Sequence, residues 1–87
     1  MTIQLFHRWH CSYSARVRDF IDANQLGGQI EYVELSEVSG AEDKLAQMTG
    51  GTQVPCLVVD GTPKLESTEI IAWLDQHLVK SAGAEKA

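Results

Sequence analysis

The stretch "RWHCSYSARVRDF", residues 8–20, is where the period of the chain changes. Before it, "TIQLFH", 2–7, reads as a first strand with Ile3 and Leu5 on one face. From Ser12 onward Tyr13, Val17, Phe20 and Ile21 fall at the spacing of an amphipathic helix. Cys11 stands at the junction, directly after the strand and at or just before the first helical residue. The unpaired N–H groups and the positive end of the helix dipole favour a thiolate there over a thiol. Arg8 and His10 add positive charge nearby. These conditions lower a thiol pKa and make a cysteine reactive. As a plain cap Cys is inferior to Ser, Asp or Asn, so the thiol points to chemistry.

Outward from that junction the pattern repeats. Gly27-Gly28 are expected to end the helix, and "QIEYVEL", 29–35, alternates as a second strand. "SGAE", 39–42, has the form of a capping box, followed by an apolar stripe of Val38, Ala41, Leu45 and Met48 and a stop at Gly50-Gly51. "PCLVV", 55–59, is apolar on both faces, as in the middle of a covered sheet. Asp60-Gly61 signals a hairpin returning into "TPKLE", 62–66, an edge strand because Pro63 cannot donate to a ladder. Ser67 is expected to cap a last helix with Ile70, Ile71, Trp73, Leu74 and Leu78 inward. The order βαβαββα predicts an α/β fold: a four-stranded mixed sheet with helices on both faces. The first βαβ unit is parallel and right-handed, the hairpin antiparallel. One domain over 1–79 and a flexible C-terminal tail, "KSAGAEKA", 80–87, account for the chain.

With 87 residues and 44% hydrophobic content, one small core is possible and a second domain is not. The formal net charge of −5 argues against nucleic acid and against an anionic membrane surface. No apolar run is long enough to span a bilayer, and the N-terminus lacks the pattern of a secretory signal, so a cytoplasmic location is expected. In that compartment Cys11 and Cys56 are not expected to form a structural disulfide. His7, His10 and Cys11 lack a fourth ligand for a structural metal, and no metal is expected. Cys56 reads as a small buried hydrophobe, Trp73 as packing, His77 as a surface residue, and the acidic run 37–43 as a solvated helix start. Trp9 either lines a groove or covers the edge of the core.

Three motifs in register resemble a known family. "CSYS", 11–14, occupies the place of the CxxC or CxxS site of glutaredoxins. "TQVPCLVVDG", 52–61, is similar to the cis-proline segment of the thioredoxin superfamily, and "LESTEIIAWL", 65–74, to the Glu-Ser motif of glutathione-transferase N-terminal domains. The resemblance covers residues 2 to about 78 and implies a thioredoxin/glutaredoxin-like fold with glutathione as co-substrate. It implies a cis bond at Val54–Pro55, which costs only about 0.5–1 kcal/mol over trans. It assigns nucleophilic attack to Cys11. It assigns glutathione binding to Arg8, Tyr13, Gln53, Val54, Pro55, Glu66 and Ser67, and stabilisation of the thiolate to His10 and Ser14. Val54 would pair with the cysteinyl backbone of glutathione, Ser67 and the helix start with its γ-glutamyl carboxylate, Glu66 with its ammonium. Arg8 would hold the glycyl carboxylate or favour the thiolate.

Position 14 carries Ser in place of a resolving cysteine, and the glycine-phenylalanine pair of cluster-carrying monothiol glutaredoxins is absent. The expected activity is therefore monothiol reduction of glutathione mixed disulfides. Its partners are glutathione and glutathionylated proteins or small disulfides, and the chain is expected to act as a monomer. The alternatives are a non-catalytic glutathione-binding protein, a carrier of a [2Fe–2S] cluster shared through Cys11 and glutathione, and a transferase-like N-terminal module.

Overall fold

The computed structural model describes residues 1–80. Among these, four strands form one mixed sheet: β1 (Ile3–His7), β2 (Glu31–Glu34), β3 (Cys56–Val59) and β4 (Thr62–Lys64), in the order β2-β1-β3-β4. β1 pairs parallel with β2 and antiparallel with β3, and β3 pairs antiparallel with β4. Three helices complete the fold: α1 (Ser12–Ala23), α2 (Ala41–Thr49) and α3 (Ser67–Leu74), the last running on into a π-helical turn, Asp75–Val79.

Strand alternation splits the apolar residues into two cores. Ile3, Leu5 and Leu57 meet Val17 and Ile21 of α1 and Ile70 and Leu74 of α3 on one face. Phe6, Val33, Cys56 and Val58 meet Ala41 and Leu45 of α2 on the other. Helices therefore cover both faces. Each fully buried leucine or isoleucine, such as Leu5 or Ile70, contributes about 1.5–3 kcal/mol.

Several element ends differ from the sequence reading, each for a local reason. α1 stops at Ala23, before Gly27-Gly28. Gln25 takes the left-handed conformation (φ 57°), the Leu26 N–H donates to the Ile21 carbonyl at 2.9 Å, and the Gln25 N–H donates to Asp22 at 3.1 Å. This is a Schellman stop in which the burial of Leu26 in the same core as Ile21 outweighs the cost of left-handed Gln. The glycines instead enter a short 3₁₀ turn, Gly27–Gln29. β2 is shorter than 29–35, and the alternation breaks at its end, where Glu34 and Leu35 are both buried. The capping box at 39–42 does not form: Gly40 is the N-cap, with a left-handed φ of 77° and no side-chain cap bond. Val38 precedes α2 and is exposed, so it is not part of the helix stripe. Tyr13 is likewise exposed and does not join the core face of α1. The hairpin is as expected, with φ of 49° at Asp60 and 87° at Gly61, both positive as a type I′ turn requires. Ser67 is the first residue of α3, and Glu66 is its N-cap. Trp73 is half-buried and stacks on the exposed His77 at 4.5 Å. Of the expected tail, Lys80 closes the last helical turn and pairs with Asp75 at 3.3 Å, while 81–87 lie outside the described residues. No described helix is long and apolar enough to cross a membrane.

Candidate active site

Cys11 is the N-cap of α1, in extended conformation, with no side-chain cap bond of its own. Its amide donates to the Arg8 carbonyl at 3.2 Å and its carbonyl accepts from Ala15 at 2.9 Å, so the loop feeds directly into the helix. The thiol is partly exposed. Burial pushes its pKa up, but the Ser14 hydroxyl, the Ser14 and Tyr13 amides and the Arg18 charge outweigh this, and the net shift is downward. Ser14 is fully buried. Its position one turn into α1 aims the hydroxyl back at the cap, the usual direction of helical side chains.

Across from the thiol lies the Val54–Pro55 peptide, which is cis. Cys11 Sγ sits 3.9 Å from the Val54 carbonyl, the geometry of a weak S–H···O contact. Beside it opens a cavity of about 360 Å³ lined by Tyr13, Gln53, Val54, Pro55, Leu65, Glu66 and Ser67. Residues from the α1 start, the segment before β3 and the α3 start are thereby brought to one place. Gln53 spans the cavity wall, its side-chain amide donating to the Leu65 carbonyl at 3.5 Å. At the far end Glu66 caps α3, and Glu66 and Ser67 at the start of that helix line the cavity.

Arg8 and His10 are placed differently from the sequence reading. The Arg8 guanidinium is held by Glu42 at 2.9 Å, a partly exposed pair facing α2 and worth under about 1 kcal/mol. His10 is exposed. Neither is among the groups that shift the thiol; the charge acting on Cys11 comes from Arg18. The sequence reading missed Arg18, although positions 11, 14 and 18 share one helix face.

Behind the loop is a second group of residues that the sequence reading left unassigned. His7 is fully buried, its Nδ1 accepts from Arg18 at 3.1 Å, and its Nε2 has no hydrogen-bond partner. Burial, then the Arg18 charge, lower its pKa against the opposing pull of Glu34 and Glu37. With Nδ1 accepting, the proton of the neutral ring sits on Nε2. The buried Glu34 carboxylate is held at about 2 by the Ser36 hydroxyl and the Trp9 amide, with smaller help from the Ser36 amide and His7, against its own burial. Trp9 is half exposed and lies over this group rather than in the cavity by Val54. Among the described residues no three or more His, Cys, Asp or Glu side chains form a metal-binding group.

The fold is that of the thioredoxin superfamily, in its glutaredoxin-like form. The family described as glutathione S-transferase, N-terminal domain, matches residues 10–77, most of the chain, and the protein belongs to it. Escherichia coli glutaredoxin superposes with a TM-score of 0.60 at 27% identity, over 90% of this chain and 98% of that one. Glutaredoxin C1 from Populus tremula x tremuloides superposes at 0.64 with 23% identity, over 98% and 85%. Glutathione transferase Omega 3C from Trametes versicolor superposes at 0.70 with 19% identity, over 87% of this chain but only 33% of its own length. The chain thus spans about a third of that transferase and nearly the whole of the bacterial glutaredoxin. No curated protein sequence matches it.

Proposed function

We propose that the protein is a glutathione-dependent thiol-disulfide oxidoreductase working through one thiol, Cys11. The observation that carries this reading is the position of Cys11 Sγ, 3.9 Å from the Val54 carbonyl at the edge of the 360 Å³ cavity, with its pKa lowered by Ser14. An extended glutathione fits there with its cysteinyl backbone along Val54 and its γ-glutamyl carboxylate at the α3 start, where Ser67 and free N–H groups favour an anion. The Cys11 thiolate attacks the glutathione sulfur of a protein–glutathione mixed disulfide. A Cys11–glutathione disulfide forms, and the protein leaves as thiolate and takes up a proton. A second glutathione thiolate then attacks the glutathione sulfur, giving oxidised glutathione and freeing Cys11. Overall one glutathione thiol is consumed for each mixed disulfide reduced, and it leaves joined to the glutathione carried in by the substrate as oxidised glutathione. Ser14 forms no internal disulfide, so the cycle has no intramolecular resolving step.

Release of a protein thiol from a glutathionylated substrate, measured with glutathione and a recycling reductase, tests this. The wild-type chain should turn over and Cys11→Ser should not. Absence of turnover in the folded wild-type chain would overturn the reading. Family membership favours a second reading, a transferase-like module that binds glutathione without exchange. Glutathione binding with no thiol transfer would select it.

A further inference from the structure

Trp9, two residues before Cys11, has all its polar groups engaged by residues outside its own loop. Its amide donates to Glu34 Oε2 at 2.9 Å, its indole N–H donates to Glu37 at 2.8 Å, and its carbonyl accepts from Arg18 at 3.3 Å. The Arg18 guanidinium lies 5.0 Å from the Trp9 ring, and His7 meets that ring edge-on at 4.9 Å. Arg18 also donates to the Arg8 carbonyl at 3.1 Å, the same oxygen that receives the Cys11 amide. The other Glu34 oxygen accepts from both the amide and the hydroxyl of Ser36, which fixes the carboxylate in place.

We propose that Glu34 and Arg18 are positioning residues for Cys11, gripping residues 8 and 9 from opposite sides so that the thiol is delivered in one geometry to Ser14 and the first N–H groups of α1. The inference rests on the reading of Cys11 as the nucleophile. The charged and titratable groups facing the loop are His7 from β1, Arg18 from α1, Glu34 from β2 and Glu37 beyond it, with Asp19 and Asp22 of α1 and Tyr32 of β2 sharing a cavity with Trp9 and Glu42 of α2 reaching the loop through Arg8. Neither Glu34 nor Arg18 reacts with the substrate. Glu34 acts through the loop, and Arg18 does so in addition to its direct charge on the thiol, as supporting hydrogen bonds do where a reacting group must be held closely.

The geometry makes an unusual sign prediction. Three donors converge on Glu34: the Trp9 amide and both Ser36 groups. Glutamine in its place has one acceptor oxygen, so Glu34→Gln leaves an amide NH₂ facing one of them. By charge alone, removing a carboxylate near a thiol lowers the thiol pKa. Loosening the loop raises it, because the hydroxyl and amides that favour the thiolate no longer converge on Sγ.

The experiment is the pH dependence of Cys11 alkylation by iodoacetamide, with the modified residue located by mass spectrometry. It requires no glutathione. Expected is an upward shift of the midpoint in Glu34→Gln, with the thiolate fraction at neutral pH falling roughly twofold to fivefold. A smaller shift of the same sign is expected in Ser36→Ala, which keeps the charge and removes one grip. An unchanged or lowered midpoint in the folded variants overturns the proposal. Should Glu34→Gln fail to fold, Ser36→Ala decides, since Ser36 is exposed. Shifted midpoints in a protein that does not turn over glutathionylated substrate support the positioning role and reject the oxidoreductase reading alone.

Discussion

Cys11 caps α1 just after β1, Cys56 opens β3 beside that same strand, and their surroundings drive the two thiols apart. Cys56 begins β3, pairs with Phe6 of β1 and is fully buried among Val33, Leu45 and Val58. Burial pushes its thiol up, with only a backbone contact from Lys64 opposing. Cys11 is also disfavoured as a thiolate by burial, but less, and it faces a hydroxyl, two amides and a guanidinium. The difference shows that the donors converging on a thiol decide whether its thiolate is favoured, the condition a nucleophilic cysteine needs. A thiol that lacks them packs as a small hydrophobe.

The strongest test of this contrast is to remove each thiol. Cys11→Ser should abolish thiol transfer with the fold intact, because serine caps a helix at least as well as cysteine. Cys56→Ala should keep most of the activity and lose about 1 kcal/mol of stability to the emptied volume. Turnover rates and denaturant midpoints of both variants check the pair; equal loss of turnover in two folded variants would erase the distinction.

The next effect lies at the far wall of the cavity. Glu66 is the cap of α3, so Ser67→Ala should leave the helix start in place. It removes a hydrogen bond expected to a charged ligand group, worth about 1.5–3 kcal/mol, and glutathione affinity should fall roughly tenfold to a hundredfold. Calorimetric titration showing unchanged affinity would move the glutathione site away from this cavity.

A smaller effect sharpens what Cys11 has and Cys56 lacks. Ser14→Ala deletes the hydroxyl that contributes most to the lowered thiol, so the alkylation midpoint should rise and the thiolate fraction at neutral pH should fall about threefold to tenfold. A midpoint that stays put would assign the shift to the backbone and Arg18.

The smallest effect is on stability in acid. The folded-state pKa of Glu34 is depressed to about 2 from an ordinary 4.5, so its contribution is complete above pH 4.5 and is lost as pH falls through 2. Denaturant midpoints measured across that window should decline in the wild-type chain and less steeply in Glu34→Gln. Parallel profiles would show that the carboxylate is not held in the folded state as described.

Local sequence was enough for the order of elements, because strand and helix periods leave direct marks. Ile3 and Leu5 alternate, Val17 and Ile21 recur at helical spacing, and Asp60-Gly61 can adopt the paired positive φ angles its turn needs. It was enough, too, for Cys11 at a helix start, since the change of period falls on that residue. Where competing local signals existed, packing chose between them. Leu26 was drawn into the core beside Ile21 and ended α1 before the glycines, and Gly40 displaced Ser39 as the cap of α2. The supports of the thiol loop had no local mark at all. Glu34 is a charged residue in an alternating strand, and only the parallel pairing of β1 with β2 brings its carboxylate to the Trp9 amide. Arg8 shows the converse: a cation three residues from the thiol is turned to Glu42 by the packing of α2. Periodicity is a property of neighbours in the chain and can be read from them. A hydrogen bond between residues 9 and 34 depends on how strands are ordered, and that was decided only when the whole sheet formed.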